Sequence, residues 1–342
     1  LVVLFRADPL LSFQEAERIP PRPSYPTDFN AYLRIGADGR TTCFVGKVEL
    51  GQGSKTALAQ LCAEELDVAY DTVDMVMGDT ELCPWDMGTF GSLTVRQFGP
   101  VLRAAVAEAR AVLLQLASEK LQVPVDRLSV KDGIVTDSRN RGASVTYAQL
   151  VQGKRIERHL EKVPVKAVSD YTVVGKSVAR KDALEKVTGK ARYAADMGFP
   201  GTLHARIVRP PVHGAKLRDV DTSGAEKIAG ARVVRDGDLV AVLHEHPDVA
   251  DQALALVKAQ FDVPVAAVND TTIFDHFIKA APESRVIAES GNLQEGVKLA
   301  TSVFDGTYLN SYVSHATVET HSAVAKIEDG KVTVWVSTQA PF

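Results

Sequence analysis

The feature that most constrains this chain is a change of period across two glycines. Residues Thr41 to Val48 form a β-rich run, Gly51 and Gly53 interrupt it, and Leu58, Leu61, Cys62 and Leu66 then recur at helical spacing. A strand therefore runs through a glycine turn directly into a helix. Upstream, Phe29 to Ile35 and the Asp38-Gly39 pair read with this run as a hairpin. Downstream, Val73 to Met77 reads as a strand, and Gly78 to Gly99 as a long loop with further glycines at 88, 91 and 99. Loops of that length inside a domain are usually functional. Val101, Leu102, Ala105, Val106, Ala109, Val112, Leu113 and Leu116 mark a long amphipathic helix, with Pro100 suited to its first turn.

Residues 160 to 183 are charged and aperiodic, so a boundary is expected there. Beyond it, Tyr193, Leu203 to Val208 and Leu239 to His244 read as strands, and Pro247 to Phe261 as a helix with Ala250, Ala253, Leu254 and Val257 on one face. That is a small α+β domain. The β-rich runs Thr301 to Leu309, Val313 to Ile327 and Val332 to Val336 follow, the last two joined at Asp329-Gly330. A length of 342 residues accommodates two or three such domains.

Composition narrows the function classes. With 45% hydrophobic and 24% charged residues the chain is ordinary globular material. Its 39 Lys and Arg against 43 Asp and Glu leave no cationic surplus for a phosphate backbone, so no nucleic-acid partner is expected. Cys43, Cys62 and Cys83 include no CxxC pair, which excludes a zinc knuckle, a disulfide framework and a four-cysteine iron–sulfur cluster built from this chain alone. Cys62 reads as a core residue on a helix face and Cys43 as part of a strand. Leu1 to Phe5 is apolar, and Pro9, Pro20, Pro21, Pro23 and Pro26 follow, which reads as an extended arm or the remnant of an export signal.

The glycine turn could hold a phosphate on unpaired N–H groups at a helix start. It misses both nucleotide patterns: Gln52 stands where a Walker loop needs lysine, and Thr56 where the dinucleotide fingerprint needs its third glycine. A plain glycine turn with Ser54 as N-cap stays open as the alternative. His315, Glu319 and His321 would share one face of a continuous strand, so an iron site there is conceivable, although a straight strand seldom converges on one metal. His244-Glu245-His246 is not an HExxH zinc pattern and reads as surface.

Four ordered blocks carry a family resemblance. Val48-Glu49-Leu50-Gly51-Gln52-Gly53, continued by Thr56, Gln60 and Ala63 to Leu66, resembles the pterin-binding turn in the large subunit of molybdenum hydroxylases of the xanthine oxidase type. Gly78-Asp79-Thr80, Gly88 to Ser92 and Arg96-Gln97 resemble that family's second pterin-contacting loop. Lys186 to Gly189, Tyr193, Asp196, Gly201 to Ala205 and Arg209-Pro210 resemble its hammerhead domain. His315 to Glu319 and Trp335 to Gln339 resemble the strands that reach the molybdenum. The GQG region precedes the hammerhead-like segment, an order that resembles isoquinoline 1-oxidoreductase and the periplasmic aldehyde and nicotinate dehydrogenases.

The resemblance implies an α+β fold class: molybdenum-cofactor-binding α/β regions flanking a hammerhead domain, as an incomplete part of the large subunit. It implies a division into residues 1–28 (arm or signal remnant), 29–165 (molybdopterin-binding region), 166–183 (linker), 184–266 (hammerhead) and 267–342 (start of a second molybdenum-binding region). It implies oxidative hydroxylation of an aldehyde or N-heteroaromatic carbon with water as the oxygen source. The cofactor would be molybdopterin or its cytosine dinucleotide, with no iron–sulfur cluster in this chain. Leu50, Gly51, Gln52 and Gly53 would hold the pterin, Gly91, Ser92, Leu93 and Thr94 its phosphate side, and Gln339 would donate a hydrogen bond at the metal. The partners implied are the remaining portion of the subunit, a [2Fe–2S] subunit and a cytochrome c subunit, in the bacterial periplasm. Two departures stand out. Val95 replaces a hydroxyl residue in the second loop, and the chain ends before the family's GGFG turn and late glutamate base, so it is expected to be one part of a divided subunit, inactive and poorly stable alone. A noncatalytic scaffold or a nucleotide-binding dehydrogenase are the alternatives.

Overall fold

The computed structural model describes residues 24–342 except 141, 282, 284, 285, 287 and 319. The arm expected over Leu1 to Phe5 and Pro9 to Pro23 lies outside the described residues. The described chain forms two compact units, one of residues 24–197 and 321–342, the other of residues 198–320.

In the first unit the expected hairpin is present: β1 (Leu33–Ile35) pairs antiparallel with β2 (Thr41–Val45). Helix α1 (Ser54–Leu66) follows the glycine turn and returns the chain to β3 (Val73–Met77), parallel to β2. Phe29–Ala31, expected as strand, is a 3-10 turn capped by the Asp28 side chain. The long loop is shorter than its glycines suggested, because Thr94–Phe98 winds as a π-helical turn into α2 (Gly99–Leu121). Leu58, Leu61, Cys62 and Leu66 of α1 meet Leu102, Val106, Val112 and Leu113 of α2 in the main core, with Cys43 and Val45 of β2. All three cysteines are buried free thiols, as their apolar settings implied.

A second sheet, β4 (Leu128–Lys131), β5 (Ile134–Asp137) and β6 (Ser144–Thr146), is antiparallel throughout and runs into the short helix α3 (Tyr147–Val151). Its first turn is Asp132-Gly133, with both residues at left-handed φ of 53° and 73°. Two-residue Asp-Gly connections suit the strand twist of a hairpin. Residues 166–183, expected as a linker, are strapped along α1. Glu64, 1% exposed, accepts the N–H groups of Thr172 (2.9 Å), Val173 (2.6 Å) and Val174 (2.9 Å), and the Lys166 ammonium at 3.3 Å. The short helix α4 (Ala183–Val187) follows, and at Tyr193, expected as strand, the chain instead makes a 3-10 turn over Ala194–Asp196.

The second unit is the small α+β domain foreseen. Strands β7 (His204–Ile207) and β8 (Lys216–Asp221), helix α5 (Ser223–Glu226), strands β9 (Arg232–Asp236) and β10 (Leu239–His244), helix α6 (Pro247–Ala255) and strand β11 (Lys258–Asp262) form sheets ordered β7-β10-β9 and β11-β8. The helix expected to reach Phe261 stops at Ala255, because Ala259 and Phe261 alternate with exposed Lys258, Gln260 and Asp262 and pair with β8. Helices α7 (Ile273–Ala280) and α8 (Leu293–Leu299) follow. Between Thr301 and Val318 no strand forms among the described residues, although β-rich sequence suggested one; β-propensity expresses itself only against a partner strand. The chain then rejoins the first unit as the hairpin β12 (Ala323–Glu328) and β13 (Lys331–Val336). Among the described residues no helix is long and apolar enough to cross a membrane.

Burial alone would raise the Glu64 carboxyl, but the Val174, Val173 and Thr172 N–H groups and the Lys166 ammonium outweigh it and hold it below its ordinary 4.5. A lowered folded-state pKa adds stability that is present above the ordinary value and lost as pH falls through the folded one. Glu64→Ala should cost roughly 2–3 kcal/mol at neutral pH, since it strands buried N–H donors. In urea titrations the gap to wild type should narrow as pH drops below 4.5; a gap independent of pH would contradict the assignment.

Candidate active-site region

Three segments singled out from sequence converge in the first unit, and a buried lysine holds them. Lys47, beyond the end of β2, is 1% exposed. Its ammonium donates to Asp86 Oδ1 (2.7 Å), the Gly88 carbonyl (2.6 Å) and the Tyr25 hydroxyl (3.2 Å). It also lies 5.7 Å and 5.5 Å from the Tyr25 and Phe98 ring centroids, within cation–π range. Asp86 Oδ1 further accepts the Gly88 N–H at 2.8 Å, while its Oδ2 is buried with no hydrogen-bond partner among the described residues. One residue on, the Val48 N–H donates to Thr89 Oγ1 at 2.9 Å, and the Thr89 N–H donates to the Gln339 carbonyl at 2.8 Å. The backbones pass too closely for side chains between them: a Cβ on Gly46 would fall 2.4 Å from Asp86 Cβ and 2.7 Å from the Pro84 carbonyl oxygen.

The GQG turn is closed on itself. Gly51 and Gly53 take φ of 105° and 86°, conformations only glycine adopts without strain. The Glu49 carboxylate accepts the N–H groups of Gly51 (2.9 Å), Gly53 (2.9 Å) and Lys55 (2.8 Å), and the Ser54 hydroxyl at 3.3 Å. The Gln52 amide accepts from the Leu50 N–H (2.6 Å) and donates to the Val48 carbonyl (3.0 Å). The N–H groups that looked available for a phosphate therefore carry an internal carboxylate, which occupies the favourable anion position at the start of α1. Leu50 and Gln52 are exposed on the turn. Glu49 and Glu64 are both committed as hydrogen-bond acceptors.

The second loop is the open counterpart. Gly88, Gly91 and Ser92 all take left-handed φ, of 115°, 62° and 55°. Gly91 and Ser92 are exposed, Leu93 and Thr94 half-buried. Leu93 bonds back to the Phe90 carbonyl at 3.2 Å, and the chain then enters the π-helical turn and the 23-residue α2. The side chains of Ser92, Thr94, Arg96 and Gln97 have no hydrogen-bond partner among the described residues. Gln339 is exposed beside this loop, fixed there by its backbone.

The donor set is made of hydroxyls, amides, a guanidinium and a helix start. It fits an anionic, hydrogen-bonding organic group. Among the described residues no cluster of three His, Cys, Asp or Glu could hold a metal. The His315, Glu319 and His321 triad does not form a strand: Ala316 sits at φ 43°, His321 bonds through Nδ1 to the Ser337 carbonyl at 3.2 Å, and Glu319 lies outside the described residues. Sequence reasoning missed Lys47 and Asp86; the available signal was an isolated lysine ending a β-rich run.

A molybdopterin cofactor-binding domain model matches residues 15–199, more than half of the chain, and a second such model matches residues 278–342. The chain belongs to the molybdenum hydroxylases of the xanthine oxidase type. This large-subunit sequence is 35% identical to a nicotinate dehydrogenase subunit of Pseudomonas putida over 91% of its own length and 27% of that protein. It is 32% identical to the isoquinoline 1-oxidoreductase beta subunit of Brevundimonas diminuta over 59% of its length and 31% of that protein. It is 26% identical to a membrane-bound aldehyde dehydrogenase of Gluconacetobacter polyoxogenes over 90% and 42%. The chain thus spans less than half the length of each of these relatives.

Removing Lys47 from this hydroxylase chain should leave Asp86 as a buried, unpaired charge. Lys47→Met is expected to cost roughly 3–5 kcal/mol, and the double variant Lys47→Met, Asp86→Leu to recover much of it. Chemical denaturation of the four proteins in the cycle measures the coupling, and additive losses would show that the pair does not interact.

Proposed function

We propose that this chain forms part of a molybdenum-dependent hydroxylase that oxidises an N-heteroaromatic substrate or an aldehyde with water as the source of oxygen. The observation that carries the reading is the convergence of the GQG turn, the Gly88–Thr94 loop and the Gln339 segment through Lys47, Asp86 and Thr89. Two of the relatives above, at 35% and 32% identity, are named for nicotinate and isoquinoline, which favours the N-heteroaromatic class.

When bound, the molybdenum cofactor supplies a Lewis acid that lowers the pKa of water and a two-electron acceptor. The residues of this chain bind and orient. Leu50, Gly51, Gln52 and Gly53 offer the pterin a rigid turn whose polar groups are largely satisfied internally. Ser92 and Thr94, with the backbone of Gly91, offer donors to its phosphate side, Leu93 lies between them with its N–H held by the Phe90 carbonyl, and the cytosine dinucleotide form would reach toward Arg96 and Gln97. Gln339 presents its amide beside the second loop. The segment 184–266, with its hammerhead-like blocks, contributes architecture and no acid–base group.

Partner chains complete the proposal. Val303, Phe304, Tyr308, Tyr312, Val313 and Val318 are all more than half exposed, more contiguous apolar sequence than a free-standing chain leaves in water. The remaining portion of the subunit would cover it, a [2Fe–2S] subunit would take the electrons, and a cytochrome c subunit would pass them on. A periplasmic site, expected from the order of the blocks, belongs to the same proposal.

Molybdenum and pterin analysis of the purified complex tests this directly. About one molybdenum per complex is expected, and a folded complex without it would leave the scaffold alternative. Gln52→Ala should reduce cofactor occupancy with little loss of folding stability, since losing one hydrogen-bonding amide costs ~1–3 kcal/mol in binding. Full cofactor content in a folded Gln52→Ala protein would remove Gln52 from the site.

A further inference from the structure

Arg180 lies outside every block that carries the family resemblance, yet it reaches the GQG turn. It stands on a segment fastened along its length. Besides the three N–H groups taken by Glu64, Gln60 Nε2 donates to the carbonyls of Val173 (2.9 Å) and Lys176 (3.1 Å), and the Tyr70 hydroxyl to that of Ala179 (2.8 Å). The Lys181 N–H donates to Thr56 Oγ1 at 3.0 Å. From this anchored backbone the Arg180 Nη1 donates to the Gly51 carbonyl at 3.1 Å, and Nη2 lies 3.6 Å from Glu49 Oε1.

The guanidinium is itself aimed. Its Nε and Nη2 donate to the two oxygens of Asp182, each at 3.0 Å, a planar fork on a carboxylate. Asp182 is 8% exposed at its side chain and also accepts the Lys186 ammonium at 2.6 Å. Arg180 therefore arrives with one edge fixed and the other on the turn. What it touches there matters. The Gly51 carbonyl belongs to a residue at φ 105°, and Glu49 is the carboxylate on which the Gly51, Gly53 and Lys55 N–H groups close. Both elements of the turn that glycine leaves free to rotate are thus held by one cation.

We propose that the Arg180–Asp182 pair is a positioning device for the GQG turn, fixing the Gly51 carbonyl and the Glu49 carboxylate and thereby the presentation of Leu50 and Gln52. Its bearing on cofactor rests on the reading of that turn as part of the cofactor site. Arg180 is a positioning residue, since it acts through Glu49 and Gly51. Lysine is a poor substitute, because an ammonium is a point charge that cannot grip Asp182 with one edge and a carbonyl with the other.

The test is hydrogen exchange on the full chain as purified with its partners, together with pterin content. Arg180→Ala is expected to speed exchange at the Gly51, Gly53 and Lys55 amides by roughly tenfold, the lower end for a lost bond to a charged group because Arg180 is partly exposed. Amides of Val106 and Leu113 in α2 should not change, and pterin content should fall. Arg180→Lys should lie between wild type and alanine, and Lys186→Ala, which leaves the fork intact, should match wild type. Unchanged exchange at the turn, an equal rise in α2, or full recovery by lysine would overturn the proposal. Wild-type protein without molybdopterin would overturn the function proposed above, while the exchange contrast, which reads the turn alone, would still decide the role of Arg180.

Discussion

Everything near the candidate site hangs on one buried cation. Lys47 is surrounded by Asp86, the Gly88 carbonyl, the Tyr25 hydroxyl and two aromatic rings. A charge in such a place is tolerated only because it is paired and its donors are used. The geometry explains why it is there. Lys47 lies just beyond β2 on the segment that leads into the GQG turn, Asp86 and Gly88 belong to the second loop, and Thr89 carries the connection on to Gln339. Hydrophobic packing could bring these three segments near one another but could not fix their register, because it has no direction. Hydrogen bonds to a single ammonium do. Asp86 Oδ2 remains the one unsatisfied atom of this cluster, so the arrangement is specified more than it is stabilised.

Carboxylates elsewhere in the unit serve the same end on a larger scale. Glu49 gathers the N–H groups of a turn two to six residues away, whereas Glu64 gathers N–H groups more than a hundred residues along the chain. Glu65 holds Arg103 and the Lys166 N–H, and Asp67 pairs with Arg110 and Lys166. The effect is to bind the irregular segment 166–182 to α1 with almost no regular secondary structure of its own. That segment in turn delivers Arg180 to the turn.

How much of this is legible in the sequence depends on whether the cause is local. The strand, glycine turn and helix, the Asp38-Gly39 hairpin and the apolar faces of α1 and α2 follow from spacing within a few residues, and they are where spacing puts them. The Asp132-Gly133 hairpin carries an equally local signal, masked by the short strands on either side of it. Residues 301–318 show the opposite failure: they are β-rich, but a strand needs a partner, and composition cannot say whether one is present. Charge and missing periodicity suggest a linker over 166–183, whereas Lys166 faces Glu64 and Asp67, Arg180 grips Asp182, and the N–H groups of 172–174 close on Glu64. Family blocks single out Gly51 to Gly53, Gly88 to Thr94 and Gln339, but Lys47, Asp86 and Arg180, which connect them, are defined by contacts across the fold.

If the two loops bind a ligand as proposed, their polar groups would divide the work between them. A turn whose N–H groups already hold Glu49 offers an incoming ligand shape and a side-chain amide, with little anion attraction left to spend. A loop whose Ser92, Thr94, Arg96 and Gln97 side chains are uncommitted among the described residues, at the start of a 23-residue helix, offers charge and donors with less rigidity. Charge draws an anionic ligand from a distance, while a rigid turn discriminates at contact. On the proposed reading orientation would come from the first loop and attraction from the second, and a ligand would be held in a single pose only if the two keep a fixed separation. Lys47 fixes that separation, because its backbone leads into one loop and its ammonium holds the other.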